Sequence, residues 1–412
     1  MTTEEKMGIR AMLVLTIPTL GFATALSLVT TYLPVILQDF THSATLIGFA
    51  IGGEGIFSSL IPLFVGVTSD RIWTKRWGRR RPFMIFAAPF MAASLMLAPF
   101  QPSYVAIAIS TFAFFAAYHF YTSPYQSLLP DVTPPGSHGR VQGFQSFSRG
   151  GGMFLGMVIA GVLFNQWRPL PFVLCSALII GLTYFTVSRV EEPEPDRSKI
   201  PPREGLRAEA RRIWASIRQN KEIQRFMVAS FLWESTLAGL RPFIMLYFIH
   251  SLGTSTQTGA LLLGLVGVTY VIAGLASGFL ADKYGRLRMM RLGLWIYLAG
   301  CVFGFFVKDV KWTFVFLPIF GLGGSIVLTL PYAILIPLMP KEHIGQFTGL
   351  FSMTRGFANI VAPVVAGGVI DIFGHHFAPG RQYTVIWLVA GAMIAISLVF
   401  FRGAGHEKMV NV

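Results

Sequence analysis

Residues Ser69–Phe83 read SDRIWTKRWGRRRPF: Arg71, Lys75, Arg76, Arg79, Arg80 and Arg81 place six basic residues within 11 positions. They follow about twenty largely apolar residues, and Pro82 opens the next apolar run. Basic residues gathered beside a membrane span mark a cytoplasmic loop, because positive charge is retained on that side during insertion.

The rest of the chain fits a membrane solvent. Of 412 residues, 53% are hydrophobic and only 13% charged, with 37 Phe and 42 Gly; glycine lets helices approach closely where lipid surrounds them. Crossing a hydrocarbon core takes about 20 helical residues. Apolar runs of that order predict twelve spans, near 11–37, 45–68, 83–100, 103–129, 142–164, 170–188, 223–249, 258–281, 289–307, 312–338, 345–372 and 383–402. Alternating the loops with both termini inside puts 26 of the 33 Lys and Arg on the cytoplasmic side. Arg149, Arg241 and Arg355 fall within spans, and Arg168, Lys308, Lys311 and Arg381 lie outside. The net charge of +14 therefore reports topology and contact with anionic lipid. Nucleic acid is excluded as a partner, since no solvated basic domain exists to hold it.

The N-terminus, MTTEEKMGIR, runs straight into the first span, so no cleaved signal peptide is expected. Cys175 and Cys301 lie in apolar spans and read as small buried hydrophobes. The polar stretch 189–222 divides the chain. It begins with Pro- and Glu-rich sequence and ends with Ile213, Trp214 and Ile217 at helical spacing, a flexible link followed by an amphipathic helix on the inner leaflet. The expected organisation is a six-helix bundle over 1–188, a cytoplasmic linker over 189–222 and a second six-helix bundle over 223–412. Internal repetition supports two halves: at an offset of 206, Gly139, Gly143, Ser146, Arg149 and Gly150 match Gly345, Gly349, Ser352, Arg355 and Gly356.

The loop Gly78-Arg79-Arg80-Arg81-Pro82-Phe83 with its preceding Asp70-Arg71, and the later Asp282-Lys283-Tyr284-Gly285-Arg286, resemble the conserved loop pattern of the major facilitator superfamily. The first loop is similar to that of its sucrose-transporter branch, among the glycoside-pentoside-hexuronide:cation symporters. The likeness extends through Pro124, Asp131, Arg140 and residues 144–156. The resemblance implies an all-α membrane protein of twelve transmembrane helices in two pseudo-symmetric six-helix bundles. It also implies spans one, four, seven and ten around a central cavity, with two, five, eight and eleven between bundles. Plant members carry an acid on span four where this chain has Phe115, so proton coupling would have to use Glu54, Glu234 or His119.

An Asp at a helix end can hold an Arg or the N-terminus of a neighbouring helix. Asp70, Arg71, Gly78, Arg79, Arg80, Arg81, Asp282, Gly285 and Arg286 are therefore expected to form cytoplasmic gates; the bland alternative is that the arginines only enforce orientation.

Ionised side chains at bilayer depth are costly and normally face a cavity or a partner. Glu234 and Arg241, two turns apart on span seven, lie on one side of that helix. They are candidates for substrate binding or proton coupling, or else a fixed ion pair. Glu54 and Arg355 lie at similar depth in spans two and eleven and are expected to pair with each other. Arg149 has no comparable acid on span eight, whose nearest polar residues are Thr269 and Tyr270. Spans four and ten offer Tyr118, His119, Tyr121, Tyr125, Gln126 and Tyr332, whose aromatic faces beside polar groups suit a sugar ring or, alternatively, a lipid-facing position, and His119 reads equally as a proton relay or as a group hydrogen-bonded to a neighbour.

There is no phosphate-binding loop, zinc motif or nucleophile elbow, so neither enzyme activity, cofactor nor metal is expected. The function expected is secondary active transport: proton-coupled import of a sugar or glycoside by alternating access. The alternatives are proton-antiport export of amphipathic compounds and a non-transporting scaffold. The expected setting is a multi-pass protein of the plasma (inner) membrane, monomeric, with both termini cytoplasmic, and its partners are substrate, protons and lipid.

Overall fold

The computed structural model describes residues 7–74, 76–193, 221–335 and 344–402. The amphipathic helix expected around Trp214 lies outside them, as do the side chains of Asp70, Arg71 and Tyr332. The described chain is helical almost throughout. A short helix, Ile9–Thr16, leads into α1 (Pro18–Leu37), followed by α2 (Ala44–Arg71), α3 (Arg81–Leu97), α4 (Tyr104–Val132) and α5 (His138–Phe154). A π-helical turn, Leu155–Ile159, and Ala160–Gln166 extend α5 before α6 (Leu170–Val187). The second half holds α7 (Lys221–Leu240), α8 (Thr256–Tyr284), α9 (Arg286–Phe306), α10 (Thr313–Thr329), α11 (Ile344–Phe373) and α12 (Val385–Arg402).

Starts and stops follow the sequence. Ser103 and Ser255 cap α4 and α8 by accepting the backbone N–H three residues on. Pro82 and Pro171 sit in the first turns of α3 and α6, where a missing N–H costs nothing. Large apolar side chains such as Phe64, Phe279, Phe306 and Val399 point out of the protein, as suits a surface wetted by hydrocarbon.

Among the described residues, eleven helices are long and apolar enough to span a membrane, against the twelve expected. The missing one is the seventh. Instead of one helix over 223–249, α7 stops at Leu240, turns through Arg241, Pro242 and Phe243, and continues as Ile244–Leu246 and a π-helical turn, Tyr247–Ser251. Pro242 has no N–H to donate back along the helix, which accounts for the break. Glu234 and Arg241 lower the segment's hydropathy as well.

Two compact units divide the chain: Met1–His42 with Ile56–Pro201, and Ser43–Gly55 with Pro202–Val412. Residues 43–55, placed by the sequence reading with the first half, thus group with the second. In the first unit α1 packs on α5 and α6, and α3 on α4 and α6. The α1–α5 crossing is close because Gly152 and Gly156 meet the backbone of Leu20 and Thr24.

In the second unit α7 packs on α11 and α12, while α10 packs on α8 and α9. The start of α2 is fastened to α11. A methyl group at Gly48, Gly52 or Gly55 would run into Pro363, Ile360 or Gly356. At the N-terminus of α2, the Asp371 carboxylate accepts hydrogen bonds from Ala44 N (2.7 Å), Thr45 N (2.9 Å), Ser43 Oγ (2.7 Å) and Thr45 Oγ1 (2.6 Å). A carboxylate there satisfies orphan amides and complements the positive end of the helix dipole.

Candidate functional site

The richest chemistry lies in the second unit. α7 carries Glu234, the turn after it Arg241, α11 Arg355, and the N-terminal half of α2 Glu54. Glu54 and Arg355 do not pair as expected: Arg355 Nη2 donates to Glu234 Oε1 at 2.9 Å, and Arg241 Nη1 stands 4.0 Å from Glu54 Oε2. Depth along a helix, the basis of the expectation, says nothing of rotation about its axis. The pairs also differ in kind. The first is a charge-assisted hydrogen bond, whereas the second is at the limit of an ion pair, with no hydrogen bond joining the two side chains.

Exposure is unequal within both pairs. The side chains of Glu234 and Glu54 are 8% and 11% exposed, those of Arg355 and Arg241 50% and 39%. The acids lie beneath the cations, so the accessible surface of this four-charge cluster is positive. The Tyr270 and Tyr297 phenols fall within the electrostatic reach of Glu234 and Arg241, and Tyr270 within that of Arg355. Sequence reading missed Tyr297, because a Tyr on an apolar span carries no mark of the charge it will face.

The first unit holds the other candidates. Tyr118, Tyr121 and Tyr125 surround Phe22, with ring centroids 5.9, 6.1 and 5.4 Å away. Their arrangement is that of a packed core: all three are buried, Tyr121 Oη hydrogen-bonds Thr183 Oγ1 at 3.0 Å, and Tyr125 Oη donates to Leu15 O at 3.0 Å. Thr19 Oγ1 completes the Tyr125 contact at 2.8 Å. His119 is buried edge-on to Tyr118, and its Nε2 has no hydrogen-bond partner among the described residues. Gln126 is exposed and accepts from Gln145 Nε2 at 3.3 Å. Arg149 is exposed, with neither hydrogen bond nor ion pair among the described residues. Polar groups that remain available therefore lie at Gln126 and Arg149, not at the buried tyrosines.

The basic loop forms a clamp built by residues the sequence reading left out of the gate. Asp131, at the end of α4, takes Arg79 Nη2 at 2.6 Å and Arg80 Nε at 3.2 Å. Glu192, just beyond α6, accepts the backbone N–H groups of Arg79 (2.8 Å), Arg80 (2.9 Å) and Arg81 (2.8 Å), capping α3. Arg81 crosses to the end of α6, its Nη1 donating to Val187 O at 2.8 Å and Val190 O at 2.5 Å. Gly78 has φ +71°, and a Cβ there would strike Glu192, so both conformation and space demand glycine. The second loop is looser: among the described residues Asp282 meets only Arg286 of its own turn, at 3.8 Å, with both side chains exposed, while Arg286 Nη1 also donates to Ala333 O at 3.0 Å. Asp282 is thus a weak latch as it stands. Glu192 was legible only as part of an acidic linker start; its opposite charge to the loop was the available signal.

Glu192→Ala is expected to destabilise the protein by about 1–3 kcal/mol, because three amides lose their acceptor. Glu192→Gln should fall between the two. Thermal unfolding of the detergent-solubilised chain measures both, and an unchanged transition in the Ala variant would remove the capping role.

The family model described as Major Facilitator Superfamily matches residues 15–268 and 236–411. Multidrug resistance protein 3 of Bacillus subtilis (strain 168) is 28% identical over 116 residues, 27% of this chain; the match spans only 23% of that relative's length. A multi-drug resistance efflux pump PmrA homolog of Lactococcus lactis subsp. lactis is 21% identical over 375 residues, covering 86% of this chain and 87% of the relative. A D-arabinitol transporter of Klebsiella pneumoniae is 21% identical over 259 residues, 60% of this chain and 58% of its own. Among solved structures, a bacterial homologue of the human lysosomal transporter Spinster, inward-facing and occupied, superposes with TM-score 0.77 at 15% identity, covering 96% of both chains. A D-xylose-proton symporter superposes with TM-score 0.74 at 15% identity, covering 95% and 96%. At that identity the structural likeness establishes the fold.

Proposed function

We propose that this chain, which belongs to the Major Facilitator Superfamily, imports a sugar or glycoside together with a proton by alternating access. Its being a transporter follows from the family; direction, coupling ion and substrate are our reading. The observation that carries it is the pairing of Glu54 with Arg241. A buried carboxylate held at 4.0 Å by a single partly exposed cation can change protonation without dismantling the helix packing. Glu234, hydrogen-bonded to Arg355, is the fixed member of the cluster, so the proton carrier in this reading is Glu54. The exposed guanidinium groups of Arg241 and Arg355 favour a hydrophilic cargo, in keeping with the loop's likeness to the sucrose-transporter branch and with the arabinitol and xylose transporters among the similar proteins.

A second reading, proton-antiport export of amphipathic compounds, is favoured by the efflux-pump relative that covers most of the chain. Direction separates the two. With the full chain in liposomes, an inward proton gradient should drive accumulation of labelled sugar under the first reading. Under the second it should drive extrusion of a lipophilic dye and leave sugar untouched.

A further inference from the structure

We infer that the transported solute carries a carboxylate, and that Arg241 is the group that binds it after Glu54 has taken up a proton. This inference rests on the proton-coupled import reading and deepens it to a sugar acid or a closely related hydroxylated organic anion.

The cluster exposes its cations more than its acids. Glu54 and Glu234 are buried, while Arg241 and Arg355 are 39% and 50% exposed at their side chains. An incoming molecule therefore meets guanidinium edges before it meets either acid. A guanidinium has five donors in a planar fork that matches a carboxylate in two-point contact. On Arg241 that fork is scarcely used: its one charged contact is Glu54 at 4.0 Å, beyond hydrogen-bond range, and its side chain donates no hydrogen bond among the described residues. Arg355, by contrast, has an edge committed to Glu234 at 2.9 Å.

Among the described residues, the charged and titratable groups around Glu54 are few. Arg241, at the end of α7, faces it directly; Glu234 of α7, Arg355 of α11, Tyr270 of α8 and Tyr297 of α9 make up the rest of the cluster. While Glu54 is ionised, it is the counter-ion of Arg241, and a second carboxylate arriving there would be repelled by it. When Glu54 binds a proton, the ion pair is lost and Arg241 is left as a partly exposed cation free to take another anion. The substrate carboxylate supplies one. On release the order reverses: the substrate leaves, Glu54 returns its proton to water and recovers Arg241. Proton and anion thus bind cooperatively through a shared partner, and one turnover moves one proton and one negative charge together.

This predicts electroneutral transport, which a neutral sugar carried with a proton would not show. The test uses the full chain in proteoliposomes with labelled glucuronate and galacturonate beside glucose and galactose. A pH gradient is imposed with the membrane potential either clamped at zero or set inside-negative by potassium and valinomycin. The expected result is uptake of the acids that follows the pH gradient and ignores the potential, with apparent affinity about tenfold to a hundredfold tighter than for the parent hexoses, the worth of one charge-assisted contact. Arg241→Gln should bring that ratio near one, with Arg241→Lys between. If Arg241→Gln fails to reach the membrane, Glu54→Gln decides: without its competing charge, acid binding should lose the pH dependence seen in the native chain. Potential-driven uptake of the neutral hexoses with no preference for the acids would overturn this inference and leave the import reading standing. Movement of neither class under any gradient would overturn both.

Discussion

Glu54→Gln is expected to reduce proton-driven accumulation to the level of empty liposomes while leaving exchange of labelled for unlabelled substrate in place. Glutamine keeps the shape of the side chain and removes its capacity to take and return a proton, so binding and conformational cycling continue without a coupled ion. Glu234→Gln should behave differently. Its carboxylate is hydrogen-bonded to Arg355 at 2.9 Å, and neutralising it removes the charge-assisted part of that contact, so accumulation and exchange should fall together. If Glu234→Gln keeps exchange and Glu54→Gln loses it, the roles assigned to the two acids are reversed.

The second large effect is expected from Gly152→Leu. A Cβ at Gly152 meets Leu20 O and the Ala23 side chain, and one at Gly156 meets Thr24 O and Ser27, so α1 and α5 would have to separate. Overpacking of a close crossing typically costs about 1–3 kcal/mol, and more where the obstacle is backbone. Loss of folded protein from the membrane is the expected outcome, read by fluorescence-detected size-exclusion chromatography. Gly143→Leu and Gly150→Leu on the same helix should be tolerated, because nothing lies within 4 Å of a Cβ at either. Equal loss in all three would show that the crossing does not set the cost.

Much of this architecture could be read from residue order. Apolar run lengths and the alternation of basic loops locate nearly every membrane helix, because hydrophobic thickness and charge retention act on local sequence alone. The seventh span is the exception, since Pro242 and two charges interrupt a run that still looks apolar on average. The site was half legible. That Glu54, Glu234, Arg241 and Arg355 matter follows from the cost of charge in lipid; which acid meets which base depends on helix rotation and crossing, which no count of residues along one helix reports. The aromatic residues of α4 misled for the same reason. Tyr121 and Tyr125 face Thr183 and the first helices, contacts more than sixty positions away in the chain or more than a hundred. The clamp on the basic loop was hidden because Asp131 and Glu192 lie 51 to 113 residues downstream of the arginine residues they hold.

That chain order bears on how the protein is made. When Arg79, Arg80 and Arg81 leave the ribosome, neither Asp131 nor Glu192 has been synthesised, so the three charges are bare at the moment the first pair of spans is oriented in the bilayer. Only when α4 and then α6 have been inserted do the two carboxylates arrive to neutralise them. The same three arginine residues are therefore expected to act first as an orientation signal and afterwards as structural donors. Replacing all three with Gln would remove that signal, and some chains would insert with the first two helices inverted.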